Sequence, residues 1–127
     1  MFLGLRTAIY PAADMEAAKK WYSEVLGKEP YFDEPFYVGF DVEGFELGLV
    51  PATDDAEPVT YWGVGDADKA LAHLLARGAE PHRPVSEVGD QIRVAAVRDP
   101  SGHLFGIIEN PDFALPDRPQ VPDGPGR

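Results

Sequence analysis

The sequence contains no cysteine, which excludes disulfides, thiolate nucleophiles and cysteine-held metals. No apolar run approaches the ~18 residues of a membrane-spanning helix, and nothing at the N-terminus resembles a secretory leader. We therefore expect a soluble, cytoplasmic protein. Basic residues are scarce as well: 11 Lys and Arg against 22 Asp and Glu give a net charge of -11. Such a charge disfavours nucleic acid and anionic membranes as partners.

Other signatures are missing too. The chain has no nucleophile beside a base and no phosphate-binding glycine loop. What it does have is an ordinary globular composition over 127 residues, of which 44% are hydrophobic. We expect one domain over residues 1–110. Residues 111–127 are rich in proline without apolar periodicity, which predicts a disordered tail or an arm on a neighbouring surface.

Two successive segments contain the same predicted elements in the same order. Each has a strand, a helix that begins at an aspartate and ends at a glycine, a proline-containing edge segment and a hairpin. We therefore predict an α+β fold of two tandem βαβββ modules, about residues 3–51 and 59–110, with mixed sheets. Predicted strands cover 3–10, 29–34, 37–42, 45–50, 59–64, 80–88, 92–98 and 103–109, and the helices lie between Asp14 and Gly27 and between Asp66 and Gly78.

The two hairpin turns assign a face to each strand, because directly opposed side chains lie on the same side of a sheet. One face of each hairpin is apolar and suits packing under a helix. The other face combines small residues with a few polar groups, which is typical of a small-molecule site. In the first module this face carries Tyr37, Gly39, Asp41, Glu46, Gly48 and Val50. In the second it is predicted to carry Arg93, Ala95, Val97, Leu104, Gly106 and Ile108.

Three motifs carry a family resemblance: Tyr10-Pro11-Ala12-Ala13-Asp14 leading to Trp21-Tyr22 and Val25-Leu26-Gly27, Val64-Gly65-Asp66 leading to Ala76-Arg77-Gly78-Ala79, and Asp99-Pro100-Ser101-Gly102 before the last strand. In their order and spacing the chain resembles the vicinal oxygen chelate superfamily, which includes glyoxalase I, ring-cleaving dioxygenases and bleomycin resistance proteins. The resemblance covers about residues 3–111. It implies sheets that curl into a cup, helices on the outer face, and a homodimer.

The resemblance also implies where a metal would be held. Metal-dependent members place His or Glu on the first and last strands of each module, and the matching positions here are Thr7, Gly48, Val59 and Gly106. None of these four side chains is a normal ligand of a divalent metal. We therefore predict no metal and no other cofactor.

Seven residues on the predicted cup face are the candidate ligand-binding residues: Thr7, Tyr37, Glu46, Gly48, Tyr61, Arg93 and Gly106. Glu46 is also the candidate general base, and the alternative is a carboxylate at the wet rim or paired with Arg93. Arg93 suits a ligand carboxylate or, alternatively, a solvated strand position. Trp21 and Trp62 are expected to pack between helix and sheet.

These observations predict a metal-free protein that binds a small molecule, in the manner of the glyoxalase and bleomycin resistance type, with drug or metabolite sequestration as a specific form. The alternative is a lyase, isomerase or dioxygenase-like enzyme with an atypical site. A third hypothesis is an interaction module whose tail, from Pro111 onward, docks on another chain.

Overall fold

A computed structural model describes residues 1–111, which form eight strands and two helices. The predicted tail therefore lies outside the described residues, apart from Pro111. Within the described part, no helix is long and apolar enough to cross a membrane. The strands are β1 (Phe2–Ala12), β2 (Phe32–Glu34), β3 (Tyr37–Val42), β4 (Phe45–Pro51), β5 (Val59–Val64), β6 (Glu80–Glu87), β7 (Arg93–Arg98) and β8 (Leu104–Glu109), and the helices are α1 (Met15–Leu26) and α2 (Ala67–Ala76).

All eight strands belong to one mixed, open sheet in the order β2-β3-β4-β1-β5-β8-β7-β6. The first and last strands of each module are parallel neighbours, β1 with β4 and β5 with β8. The modules join where β1 pairs antiparallel with β5, so one chain supplies the whole curled sheet. The predicted α+β fold of two βαβββ modules is confirmed. We call the side of the sheet away from the helices the cup face.

Both helices begin at the predicted aspartates. The Asp14 carboxylate accepts a hydrogen bond from the backbone N–H of Ala17 at 3.0 Å, and Asp66 accepts one from Lys69 at 3.1 Å. These bonds satisfy N–H groups that the first turn of a helix leaves without partners. At the other end of α1, Gly27 adopts φ 71°, which a residue without Cβ reaches at little cost.

Strand β1 continues past the predicted end at Tyr10. It includes Pro11, which pairs with Val50 of β4. The pairing of β1 with β5 ends at Ile9 opposite Val59, so Pro11 has a strand on one side only. A proline is tolerated there because one side of its backbone faces no ladder that needs an N–H donor.

The helices bury one apolar cluster in each module. Under α1, Val38, Phe40 and Leu49 are almost fully buried. Under α2, Ala95 and Ile107 are at most 1% exposed, and they pack with Ala67, Ala70 and Val64. The alternating residues of β3, β4, β7 and β8 thus place one face against the helices and the other in the cup.

The two tryptophans differ in environment. Trp62 stacks on Phe105 with ring centroids 5.5 Å apart, as the prediction of a helix–sheet position requires. The same prediction is wrong for Trp21, which is 56% exposed. The inward position on α1 belongs instead to its neighbour Tyr22, whose ring lies 6.4 Å from that of Phe40.

The β3–β4 hairpin has the predicted two-residue turn. Val42 pairs with Phe45, and Glu43 and Gly44 both adopt positive φ, 56° and 90°. This geometry suits a tight antiparallel hairpin. The predicted faces of the first module are confirmed, since Gly39 pairs with Gly48 and Asp41 pairs with Glu46.

The β7–β8 hairpin differs from the prediction by one residue. Its loop has three residues rather than two, because the Asp99 N–H donates to the carbonyl of His103 and Gly102 adds a residue at φ 89°. Arg98 therefore pairs with Leu104, and Ala96 pairs with Gly106.

A slip of one residue moves every side chain of a strand to the other face. The side chains of β8 lie on their predicted faces, with Gly106 on the cup face, whereas those of β7 lie on the faces opposite to the predicted ones. Ala95 packs against α2, and Val97, which pairs with Phe105, is on the same side. The predicted cup position of Arg93 is therefore wrong.

Candidate functional site

A row of directly paired residues crosses the cup face from β6 to β3, and we call it the central row. One end of the row is basic, the other end has two carboxylates, and small or hydroxyl-bearing residues lie between. Paired residues share a face, so these side chains all belong to the cup. In order, the central row is Arg83, Ala96, Gly106, Tyr61, Thr7, Glu46 and Asp41.

The register shows that only two of the four expected metal positions, Thr7 and Gly106, belong to the central row. Thr7 is level with Glu46 on β4 and with Tyr61 on β5, and Tyr61 is level with Gly106. Gly48 and Val59 lie further along, where both pair with Ile9. Counting residues from each turn glycine misses this relation, because the pairing of β1 with β4 and β5 decides which side chains stand level.

Glu46 is held by two hydroxyl groups. Thr7 Oγ1 donates to Glu46 Oε1 at 2.8 Å, and the Tyr31 hydroxyl donates to Oε2 at 2.5 Å. Thr7 is 5% exposed, so its hydroxyl has exchanged water for this carboxylate. Each oxygen of an ionised carboxylate can accept two hydrogen bonds, so Glu46 has acceptor capacity for a donor from a ligand as well.

Tyrosine rings lie against the glycines of the cup floor. A Cβ on Gly106 would stand 2.6 Å from Cδ1 of Tyr61, and a Cβ on Gly48 would stand 2.7 Å from Cζ of Tyr37. Gly39 would likewise meet Cε1 of Tyr31 at 3.0 Å. The three glycines are therefore needed for close packing of the rings, and the floor is an aromatic surface with phenol groups.

The phenols of this surface resist ionisation. Burial raises the pKa of Tyr37 far above its ordinary value, and the charge of Glu46 adds to the effect. The pKa of Tyr31 is raised by burial and then by its hydrogen bond to Glu46. Burial also raises the pKa of Tyr61. These hydroxyls are therefore protonated hydrogen-bond donors near neutral pH.

The residues that pair directly across the four central strands do not provide the ligands of a divalent metal. Thr7, Glu46, Tyr61 and Gly106 include one carboxylate and no imidazole. Divalent cations in proteins are held by several convergent carboxylate, imidazole or thiolate groups. Across residues 1–111, no three His, Cys, Asp or Glu side chains converge in this way.

Arg93 lies on the helix side instead. Its guanidinium contacts Asp68 of α2 at 2.6 Å and Glu109 of β8 at 3.1 Å. The hypothesis that Glu46 pairs with Arg93 is therefore wrong. The same Glu109 carboxylate accepts from the backbone N–H of Ala67, which ties the start of α2 to the sheet.

Sequence reasoning missed two residues of the cup. Tyr31 precedes the edge strand β2, and its N–H donates to the carbonyl of Gly39 at 2.9 Å. The signal in the sequence was the aromatic side chain of Tyr31, which lies against the cup-facing Gly39 in the structure. Arg83 of β6 lies opposite Ala96, and two register irregularities in β6 hide its face from simple alternation.

The family model of the glyoxalase/bleomycin resistance protein/dioxygenase superfamily matches residues 4–107, and the chain belongs to that superfamily. A search of curated proteins gives no significant match.

Solved structures share the fold. One is an NAD-dependent benzaldehyde dehydrogenase from Legionella pneumophila, 16% identical, with a TM-score of 0.69 over 82% of this chain and 97% of that one. Another is a superfamily member from Vibrio splendidus, 17% identical, with a TM-score of 0.66 over 84% and 99%. The third is methylmalonyl-CoA epimerase from Mycobacterium tuberculosis, 19% identical, with a TM-score of 0.67 over 86% and 89%. At these identities the likeness concerns the fold alone.

Proposed function

We propose that the protein binds a small organic molecule on the cup face without a side-chain-held metal. The observation that carries this proposal is the central row. The directly paired residues of its central strands provide the carboxylate of Glu46, hydroxyl groups and aromatic surface. A metal held by side chains would need several ligands at these same positions. Aromatic walls with a few polar groups are the usual lining of small-molecule sites.

The chemistry of Glu46 selects the kind of group that it receives. A carboxylate accepts hydrogen bonds and attracts positive charge, so the preferred ligand presents an ammonium or another N–H donor. The rings of Tyr31 and Tyr37 stand beside it. The net charge of -11 favours the approach of a cation from solution.

A sequestering protein for a cationic drug or metabolite is the specific form of this proposal. It accounts for a site that combines one carboxylate with aromatic surface. The assembly is proposed to be a homodimer, and the compartment the cytoplasm. The single-domain organisation of residues 1–110 is also part of the proposal.

A thermal-shift screen in the presence of a chelator tests the function. The panel contains octylamine, bleomycin, octanoate and a short acyl-CoA thioester. We expect the melting temperature to rise with at least one of the two amines. Equal melting temperatures with every compound would contradict the proposal. In a parallel measurement without chelator, elemental analysis is expected to find no stoichiometric divalent ion, and one ion per chain would contradict the metal-free site.

A second candidate is an isomerase that uses Glu46 as its base. The observation in its favour is that the carboxylate lies on the cup face in a fold shared with methylmalonyl-CoA epimerase. The test is deuterium exchange into the α-carbon of methylmalonyl-CoA, with the Glu46→Gln variant beside the wild type. This candidate requires exchange that the variant loses by a factor of about 100 or more. Exchange that is absent, or equal in both proteins, rejects it.

A further inference from the structure

The charges of the central row are separated along the sheet. Glu46 and Asp41 stand at the end formed by β4 and β3, and Arg83 stands at the end formed by β6. Between Glu46 and Arg83 lie five strand spacings of ~4.8 Å each, which the curl of the sheet shortens across the cup. The opposite charges therefore face one concave surface from its two sides.

Arg83 faces the interior of this surface. It pairs with Ala96, which pairs with Gly106, and Gly106 lies under the ring of Tyr61. The positive charge of Arg83 also acts on the Tyr61 hydroxyl, where it opposes the effect of burial on the pKa. Ala96 and Gly106 carry almost no side chain, so nothing from the row itself fills the space between the guanidinium and the ring.

We propose that the ligand of the cup is dipolar, with its N–H or ammonium end at Glu46 and an oxyanion, carboxylate or phosphate, at Arg83 and Tyr61. This inference rests on the proposed function and adds the second subsite. A guanidinium presents a planar set of donors that matches two oxygens of such an anion. The protonated hydroxyl of Tyr61 supplies a further donor on the same side of the cup.

Acidic residues near Arg83 are the alternative partners to consider. Arg83 borders a groove of about 500 Å³ whose lining also includes Asp54, Asp55, Glu57, His82 and Arg98. Glu57 is engaged by Arg98 at 2.5 Å. Among residues 1–111, neither Asp54 nor Asp55 forms a salt bridge with Arg83. The guanidinium is therefore placed to receive an anion from the ligand.

A calorimetric titration of the full chain with matched probes tests the inference. The probes are octylamine, octanoate and aminooctanoate, and then aminohexanoate and aminododecanoate to measure the span. We expect at least one amino acid probe to bind about threefold or more tightly than octylamine, since the second contact is made by an exposed charge. The affinity is expected to depend on probe length, because only a probe of matching length places its ammonium at Glu46 and its carboxylate at Arg83 at the same time.

Two variants test whether Arg83 contacts the carboxylate end of the probe. Arg83→Gln is expected to remove the advantage of the amino acid probe over octylamine, measured as the ratio of the two affinities in the same variant. Arg77→Gln is the matched control, an exposed arginine on the helix side whose guanidinium contacts His73. It is expected to change neither affinity.

The outcomes separate this inference from the proposed function. If octylamine binds and the carboxylate adds nothing at any length, the second subsite is rejected and the proposed function stands. If Arg83→Gln lowers only the melting temperature and keeps the preference, Arg83 serves the acidic groove, and the inference is rejected. If no probe binds, both are contradicted.

Discussion

At the scale of single residues, the cup depends on glycines that make room for tyrosine rings. Gly106 is buried beneath Tyr61, and a Cβ there would also stand 3.1 Å from the carbonyl oxygen of Thr60. The backbone oxygen cannot move aside easily, so the ring has to shift. Gly106, three strand spacings from Glu46, thus positions the phenol of Tyr61 because it carries no Cβ.

Replacing Gly106 by alanine tests this packing. Overfilling a well-packed position costs about 1–3 kcal/mol, so Gly106→Ala is expected to lower the free energy of unfolding by that amount. The control is Gly65→Ala, because a Cβ on Gly65 would meet nothing within 4 Å. Urea denaturation measures both variants. Equal stabilities of the two alanine variants would show that Tyr61 does not press on the floor.

Thr7 offers a second test at this scale. Thr7→Val keeps the shape of the side chain and removes the hydroxyl that donates to Glu46. A carboxylate that loses such a donor in a partly buried site costs about 1–3 kcal/mol. The control is Thr60→Val, since Thr60 is exposed on β5. An unchanged denaturation midpoint for Thr7→Val, relative to Thr60→Val, would contradict a structural role of this hydrogen bond.

At the scale of elements, the β7–β8 turn decides which residues of β7 enter the cup. Asp99 shapes this turn, because its Oδ1 accepts from the backbone N–H of Ser101 and of His103, both at 2.9 Å. These bonds lower the pKa of Asp99, with the N–H of His103 as the largest cause. The turn is therefore stabilised by the ionised carboxylate.

The pH dependence of Asp99→Ala follows from the direction of that shift. A carboxylate with a lowered pKa in the folded state contributes its full stability above its unfolded pKa, about 3.9, and loses it as the pH falls through the folded value. We expect Asp99→Ala to melt at a lower temperature than the wild type from pH 7 to about 5, and the gap to shrink below about pH 4. Thermal unfolding followed by circular dichroism measures it, with Ser101→Ala as the control. A gap that stays constant into acid would exclude the carboxylate as its source.

The elements also show how far the sequence predicts the structure. Capping residues and turn glycines are local signals, so Asp14, Gly27, Asp66 and the strands around them were predictable. The face of each β7 side chain was not predictable, because a turn with Pro and Gly accommodates either two or three loop residues. That difference moves every side chain of β7 to the other face of the sheet.

The central row was unpredictable for a different reason. It depends on the parallel pairing of strands far apart in the chain, such as Thr7 with Glu46. Turn chemistry restricts the register of neighbouring strands in a hairpin, but it says nothing about strands joined through a helix. The candidates Glu46 and Tyr37 were found from a hairpin face, and Tyr61 as an aromatic residue expected on the cup face, whereas Tyr31 and Arg83 required the assembled sheet.

At the scale of the whole molecule, the buried phenols couple stability to alkaline pH. The pKa values of Tyr31, Tyr37 and Tyr61 are all raised, chiefly by burial. A group whose pKa is raised on folding contributes its stability below its unfolded pKa, about 10 for tyrosine, and loses it as the pH rises through the folded value. Stability is therefore expected to fall above about pH 10.

Tyrosinate absorbance followed together with circular dichroism tests this coupling. We expect part of the absorbance change to coincide with loss of the folded signal, because these phenols ionise only as the cup opens. Tyr61→Phe is expected to reduce the coincident part. Complete ionisation of every tyrosine in the still-folded protein would contradict the buried placement of the phenols.

The proposed role of Glu46 is to receive an N–H donor from an organic ligand without a metal. Calorimetric titration with octylamine in the presence of a chelator tests it most directly, using the wild type, Glu46→Gln and Glu24→Gln, an exposed glutamate on α1. We expect saturable binding that the chelator leaves intact, about tenfold weaker in Glu46→Gln and unchanged in Glu24→Gln, since a hydrogen bond to a charged group contributes about 1.5–3 kcal/mol. Binding that disappears with the chelator, or that is equal in all three proteins, would contradict it.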